Sequence, residues 1–307
     1  MRYVVCLCFA LFAVSAWGGA SGAVACDPSL SQAIPARPAS APGGRAFSEQ
    51  LRGLSDDQRE ARIQAQLLAG NIPQFLRRLV PVQLSARDAD GHSAAIIVCA
   101  APDYLAIGSD EDFLLIPMRL GTALALAGHF GFTLPTPRLV DLIYAQAAVH
   151  FTPQPLPASD AMRSTDYYWR HNQLVRKQRS LLGVSPGELS AGDKKDLVIT
   201  NRLWTHPDRV AIYGWHRSDG EPIQPLSTLH GWHYADYSHG ARLVSTQVLV
   251  DGEPRSIFQV LQDPRLAGAL SDEGIMGNLR ELLNTLSARA RTAIALLSLP
   301  QPPGSFR

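Results

Sequence analysis

The chain lacks several features that would have set its class at once. No run of five or more basic residues occurs, and Lys+Arg number 28 against Asp+Glu 27, so the concentrated positive field that phosphate backbones demand is missing and no nucleic-acid partner is expected. After the N-terminal residues no apolar stretch reaches the ~18 residues of a membrane span. No heptad run, collagen-like triplet or short repeat excludes coiled coils and solenoids. Four cysteines in 307 residues are too few for a disulfide-stapled scaffold, and neither H-E-x-x-H nor a paired C-x-x-C is present. With 46% hydrophobic residues, however, the chain has ample material for a packed core.

Met1 to Ala25 reads as a signal peptide: Arg2 opens it, Tyr3 to Trp17 is apolar, and Ala23-Val24-Ala25 is a small-x-small cleavage pattern. A secreted or periplasmic location follows. Loss of that segment leaves Cys26 and Cys99, with two outcomes open: a disulfide between them, or a lipid anchor on Cys26 with Cys99 free and buried in its apolar run. Residues 26–46 are rich in Pro, Ala, Ser and Gly and read as a flexible spacer, 47–299 as one α+β domain, and 300–307 as a disordered tail.

Within the domain the local signals are specific. Ser55 and Gln58 form a capping-box pattern ahead of Ile63, Leu67 and Leu68. Leu79–Leu84, Ala94–Ala100, Tyr104–Ile107 and Phe113–Ile116 read as strands of a small antiparallel sheet. Leu120–His129 and a segment opened by Thr136-Pro137 read as helices, Asp160–Leu182 as a longer one, and the leucines from Leu279 to Leu297 as the last. Leu197–Thr200, Val210–Tyr213 and Leu243–Val250 read as further strands. Helices stand between groups of strands without regular alternation, so an α+β fold with an antiparallel or mixed sheet is expected.

Five of the nine histidines, His206, His216, His230, His233 and His239, fall within 34 residues, among Trp204, Tyr213, Trp215, Trp232, Tyr234, Asp236 and Tyr237. An imidazole beside a carboxylate is the usual general base, so His239 or His230 with Asp236 forms the candidate catalytic centre of a hydrolase. Ser238 is adjacent to His239 and on an extended segment points away from it, which argues against a nucleophile and base pair. Lys194 and Lys195 lie in Asp193-Lys194-Lys195-Asp196; such a charge run is ordinarily a solvated turn, but a desolvated lysine there would engage an anionic group. His216, Tyr213, Trp215, Trp232 and Tyr237 are candidate substrate contacts, joined by His171, Asn172 and Arg176 if the long helix packs over the sheet. No cofactor is expected; a zinc ion held by His230, Asp236 and His239, with His216, is the alternative. The competing function is a non-catalytic glycan- or cell-wall-binding module with Trp215, Trp232, Tyr234 and Tyr237 as an aromatic platform.

Several phrases, Gly70-Asn71-Ile72-Pro73 with Phe75-Leu76-Arg77, Asp103-Tyr104-Leu105-Ala106-Ile107-Gly108-Ser109-Asp110, Leu134-Pro135-Thr136, Lys194-Lys195-Asp196, Tyr213-Gly214-Trp215-His216, Pro222-Ile223-Gln224-Pro225-Leu226 and Asp236-Tyr237-Ser238-His239-Gly240, resemble a family of secreted proteins of unassigned activity. The resemblance spans about Gly70 to Gly274 and implies no reaction. The expectation from the residues themselves is a secreted hydrolase cleaving an amide or ester bond in an envelope or extracellular polymer.

Overall fold

A computed structural model describes residues 25–87 and 91–297; residues 1–24 of the expected signal peptide 1–25, and the expected tail 300–307, lie outside the described residues. In chain order the elements are α1 (Gly44–Gln50), α2 (Asp56–Leu68), β1 (Val80–Arg87), β2 (Ser93–Ala100), β3 (Ala106–Gly108), β4 (Phe113–Leu115), α3 (Leu120–His129), β5 (Phe132–Thr133), α4 (Pro137–Gln146) and β6 (Val149–His150). They continue with α5 (Thr165–Leu182), β7 (Ser190–Ala191), β8 (Lys195–Leu197), α6 (Arg202–Thr205), β9 (Ile212–His216), β10 (Pro222–Ser227), β11 (His239–Gly240), β12 (Val244–Val250), β13 (Glu253–Ser256), α7 (Ile257–Gln262), α8 (Ala267–Leu270) and α9 (Leu279–Leu297). The fold is α+β, with antiparallel and mixed sheets packed against helices.

Local signals act as physical chemistry requires. Ser55 accepts from the Gln58 N–H while the Gln58 side chain reaches back to the Ser55 N–H, satisfying two otherwise unpaired donors at the start of α2. Thr136 caps α4 through the Leu139 N–H, with Pro137 in the first turn, where its missing donor costs nothing. Leu120 through Ala127 are all buried, so α3 is covered on every side, by α2 and α9 among others. The absence of a Cβ at Gly121 lets the Trp232 ring and Ala290 close against it.

Two sheets organise the molecule. The first runs β1-β2-β12-β13, all antiparallel, with β5 also on β12. The second runs β10-β9-β8-β11 and is mixed: β9 is antiparallel to both β10 and β8, while β11 is parallel to β8, pairing His239 with Lys195 and Gly240 with Asp196. Helix α4 packs against β1 of the first sheet and β9 of the second.

Three expectations need correction. The four early strands do not share one sheet: β1 and β2 join the five-stranded sheet, whereas β3 and β4 pair only with each other after Pro102 and the buried Asp103 turn the chain away. The long helix begins later than Asp160: a 3-10 turn at Asp160–Arg163 gives way at Ser164, whose side chain accepts the Tyr167 N–H and starts α5. Residues 26–46 are no free spacer. Ile34 is buried, Arg37 donates to Asn71 Oδ1 at 2.9 Å and to the Ala41 carbonyl at 2.7 Å, and Gly44 lies so close to the Phe113 and Leu114 backbone that no side chain would fit. Cys26 and Cys99 form a disulfide that closes this segment onto β2. A sulfur so bonded is not open to a lipid thioether, and the cystine accords with an oxidising compartment. Among the described residues no helix is long and apolar enough to cross a membrane.

Candidate active site on the buried charged strand

The run Asp193 to Asp196 is not a solvated turn. Asp193, Lys194 and Asp196 are each at most 2% exposed, because the run enters β8 between β9 and β11. Gly240 permits that approach: a Cβ there would sit 2.5 Å from a Tyr104 ring carbon and 2.9 Å from Lys194 Cβ. On the neighbouring strand Trp215 takes φ 57°, a left-handed conformation that is rare for a bulky residue and marks local strain.

Asp236 is buried and ionised. Its Oδ1 accepts from the Ser238 N–H at 2.8 Å and the Ser238 hydroxyl at 2.5 Å, and its Oδ2 accepts from the Tyr234 hydroxyl at 2.9 Å. Burial pushes its pKa up, but positive charge on His239, the Ser238 hydroxyl, Lys195 and the Ser238 N–H overcome this and bring it down to about 2. His239 Nε2 stands 3.9 Å from Asp236 Oδ2, beyond hydrogen-bond range, and neither ring nitrogen has a hydrogen-bond partner although the residue is fully buried. Burial lowers the His239 pKa to about 4; the Asp236 charge opposes that shift and Lys195, His230 and Lys194 add to it. At neutral pH the ring is therefore uncharged, and Ser238 and Tyr234 hold the carboxylate. The Tyr234 ring meets His239 edge-on at 5.7 Å and stacks on His230 at 4.0 Å, and His230 is exposed. A chain of rings thus leads from solvent to the buried imidazole.

Behind this pair lies a buried ionic network. Lys194 Nζ donates to the Tyr237 carbonyl at 2.6 Å; burial lowers its pKa to about 8 against the pull of Asp193, Asp236 and Asp103. Burial and the Asp103 charge raise Asp193 to about 7, and both its carboxyl oxygens lack partners. Asp103 accepts from Arg179 at 2.6 Å. Asp196 accepts from the Tyr104 hydroxyl at 2.8 Å and is raised to about 6 by burial, against the Arg242 charge. Arg242 in turn donates to the Ala101 and Ser190 carbonyls at 2.9 and 2.7 Å. Sequence reasoning passed over Tyr104, Arg179 and Arg242. The Arg242 signal was a lone charge among Ala241, Leu243 and Val244, which can be buried only if paired.

The remaining candidates divide. Lys195 Nζ lies 5.3 Å over the Trp215 ring, and Trp215, Tyr237 and His171 form an aromatic cluster beside Lys194. His216 is committed elsewhere: its Nε2 bonds Asp141 Oδ1 at 2.8 Å, Tyr213 donates to Asp141 Oδ2 at 3.1 Å, and Tyr144 stacks on the imidazole at 4.5 Å. Asn172 and Arg176 do not reach the site. Asn172 bonds both the Leu115 N–H and the Phe113 carbonyl, and Arg176 donates to the Glu111 carbonyl. Trp232 is packed at Gly121 beneath Arg289. With Trp215, Trp232 and Tyr237 at most 5% exposed, these rings present no open platform for a glycan. The zinc alternative also lacks its donor set, since among the described residues no three His, Cys, Asp or Glu side chains converge to hold a metal. Comparison with protein-family models, curated proteins and solved structures finds no match for this chain.

Proposed function

We propose that this chain is a secreted or periplasmic hydrolase that cleaves an amide or ester bond of an envelope or extracellular polymer, with His239 as general base and Asp236 as its electrostatic partner. One observation carries the reading: His239, fully buried beside an ionised carboxylate, keeps both ring nitrogens unbonded. Each buried polar atom left unpaired costs about 1–3 kcal/mol, a cost that a purely structural imidazole would have shed by bonding a neighbour. A ring neutral above about pH 4 is free to take a proton from water or a nucleophile at neutral pH. The Asp236 charge then stabilises the imidazolium that forms. Tyr234, edge-on to His239 and stacked on the exposed His230, is the gate that substrate displaces.

The test is turnover of isolated cell-wall polymer and of nitrophenyl esters by the purified chain and its variants. His239→Gln should lower kcat/KM by about 10²- to 10⁴-fold with the circular dichroism spectrum intact, and Asp236→Asn should lower kcat with little change in KM. Undiminished turnover by His239→Gln overturns the assignment.

A further inference from the structure

Deeper in the same region is a second set of buried polar atoms without partners. His171 on α5 is 0% exposed, and neither of its ring nitrogens has a hydrogen bond. The indole Nε1 of Trp215, 4% exposed, is likewise unpartnered. The two rings meet edge-on with centroids 6.2 Å apart, and both pack on Tyr237, at 5.1 and 6.3 Å. Lys195 completes the group, its ammonium 5.3 Å over the Trp215 ring. The left-handed backbone at Trp215 is a separate sign that this indole is held in place against local preference.

Donors predominate among these atoms: an indole N–H donates and cannot accept, an ammonium only donates, and a neutral imidazole offers one donor beside one acceptor. Among the charged groups around them, Lys194 is answered by the Tyr237 carbonyl and the buried Asp193, and Asp236 by Ser238 and Tyr234. Lys195 makes no close ion pair among the described residues, although its charge acts at longer range on Asp236.

We propose that His171, Trp215 and Lys195 form a subsite for a carboxylate of the substrate. The inference rests on the hydrolase reading for the word substrate, but the site itself does not. It narrows the polymer to one carrying free carboxylates near the bond that is cut: one oxygen takes the indole N–H, the other the His171 N–H, and Lys195 balances the charge. Two single donors and one cation suit a planar monoanion better than a neutral amide.

The probe is acetate, with acetamide as its uncharged counterpart, and the readout is the indole and imidazole NMR signals of the ¹⁵N-labelled intact chain. Trp215→Phe and His171→Phe assign the resonances. Acetate should shift the Trp215 indole and His171 ring signals saturably, acetamide should leave them in place, and Lys195→Gln should weaken the acetate response at least about tenfold. No acetate response, an equal response to acetamide, or full affinity in Lys195→Gln overturns the proposal. If Lys195→Gln fails to fold, the comparison of acetate with acetamide in the intact chain decides alone. The same titration in His239→Gln separates this from the hydrolase reading: saturable acetate binding with unaltered turnover would keep the subsite and discard the base, and lost turnover without acetate binding would do the reverse.

Discussion

The sharpest quantitative consequence concerns His239 and acid. In the unfolded chain its imidazole titrates at 6.5, while in the folded protein burial holds it at about 4. Below pH 6.5 the unfolded chain takes up a proton that the folded chain refuses, so stability is complete above that pH and falls as the solution is acidified toward 4. A gap of this size is worth about 3 kcal/mol, at ~1.4 kcal/mol per pH unit. Asp193 and Asp196, whose carboxyls stay protonated up to about 7 and about 6, act in the opposite sense, losing stability as pH rises. The wild-type curve alone would therefore mislead, and the difference between two curves is the quantity to read. Urea denaturation of the wild type and His239→Phe at half-unit steps from pH 7 to 4.5 provides it. Whatever constant offset the phenyl ring introduces, the wild type should lose most of about 3 kcal/mol relative to the variant across that range. Parallel curves would mean that His239 is hydrated or bonded in the folded protein, and the argument from its unpaired nitrogens would fail with it.

Three further outcomes are expected. Replacing both Cys26 and Cys99 with Ser opens a loop of 73 residues and should cost about 4 kcal/mol by the chain-entropy relation, read from urea midpoints with and without reductant. Asn172→Ala strands the Leu115 N–H and the Phe113 carbonyl inside the protein and should destabilise by about 2–4 kcal/mol; a loss below about 0.5 kcal/mol would mean that these groups find other partners. Gly240→Ala forces a methyl against Tyr104 and Lys194 and should cost at least about 1–3 kcal/mol in thermal or urea melts, whereas a neutral result would show that β8 and β11 are not in close contact.

Much of the framework was readable from short-range chemistry. The Ser55–Gln58 box, the Thr136-Pro137 start of α4 and the Ala- and Leu-rich α3 are local instructions, and each produced its helix. β10 escaped notice because Pro222 and Pro225 argue against a strand, an objection that loses force at the sheet edge where β10 lies. Residues 26–46 read as a spacer because Ile34, Arg37, Gly44 and the disulfide that anchor them are single residues over which composition averages. The Asp236 to His239 stretch could be marked from the density of its rings and charges. Which histidine keeps company with which acid could not: His216 turns to Asp141, 75 residues earlier, and that choice is made by the packing of α4 on β9. Asn172 was assigned to the cleft because it shares a helix face with Arg176, yet that face covers β4 and not the charged strand.

The parallel pairing of Lys195 with His239 has a consequence for how the molecule matures. Its two partners are 44 residues apart in the chain, with β9 and β10 formed from the residues between them. Contacts of such long range pay their loop-closure entropy before any reward arrives. The Lys195–His239 juncture is therefore expected to come together late, after the intervening hairpin has docked. A fragment truncated anywhere before residue 239 would lack both β11, the parallel partner of β8, and β12, the partner of β2.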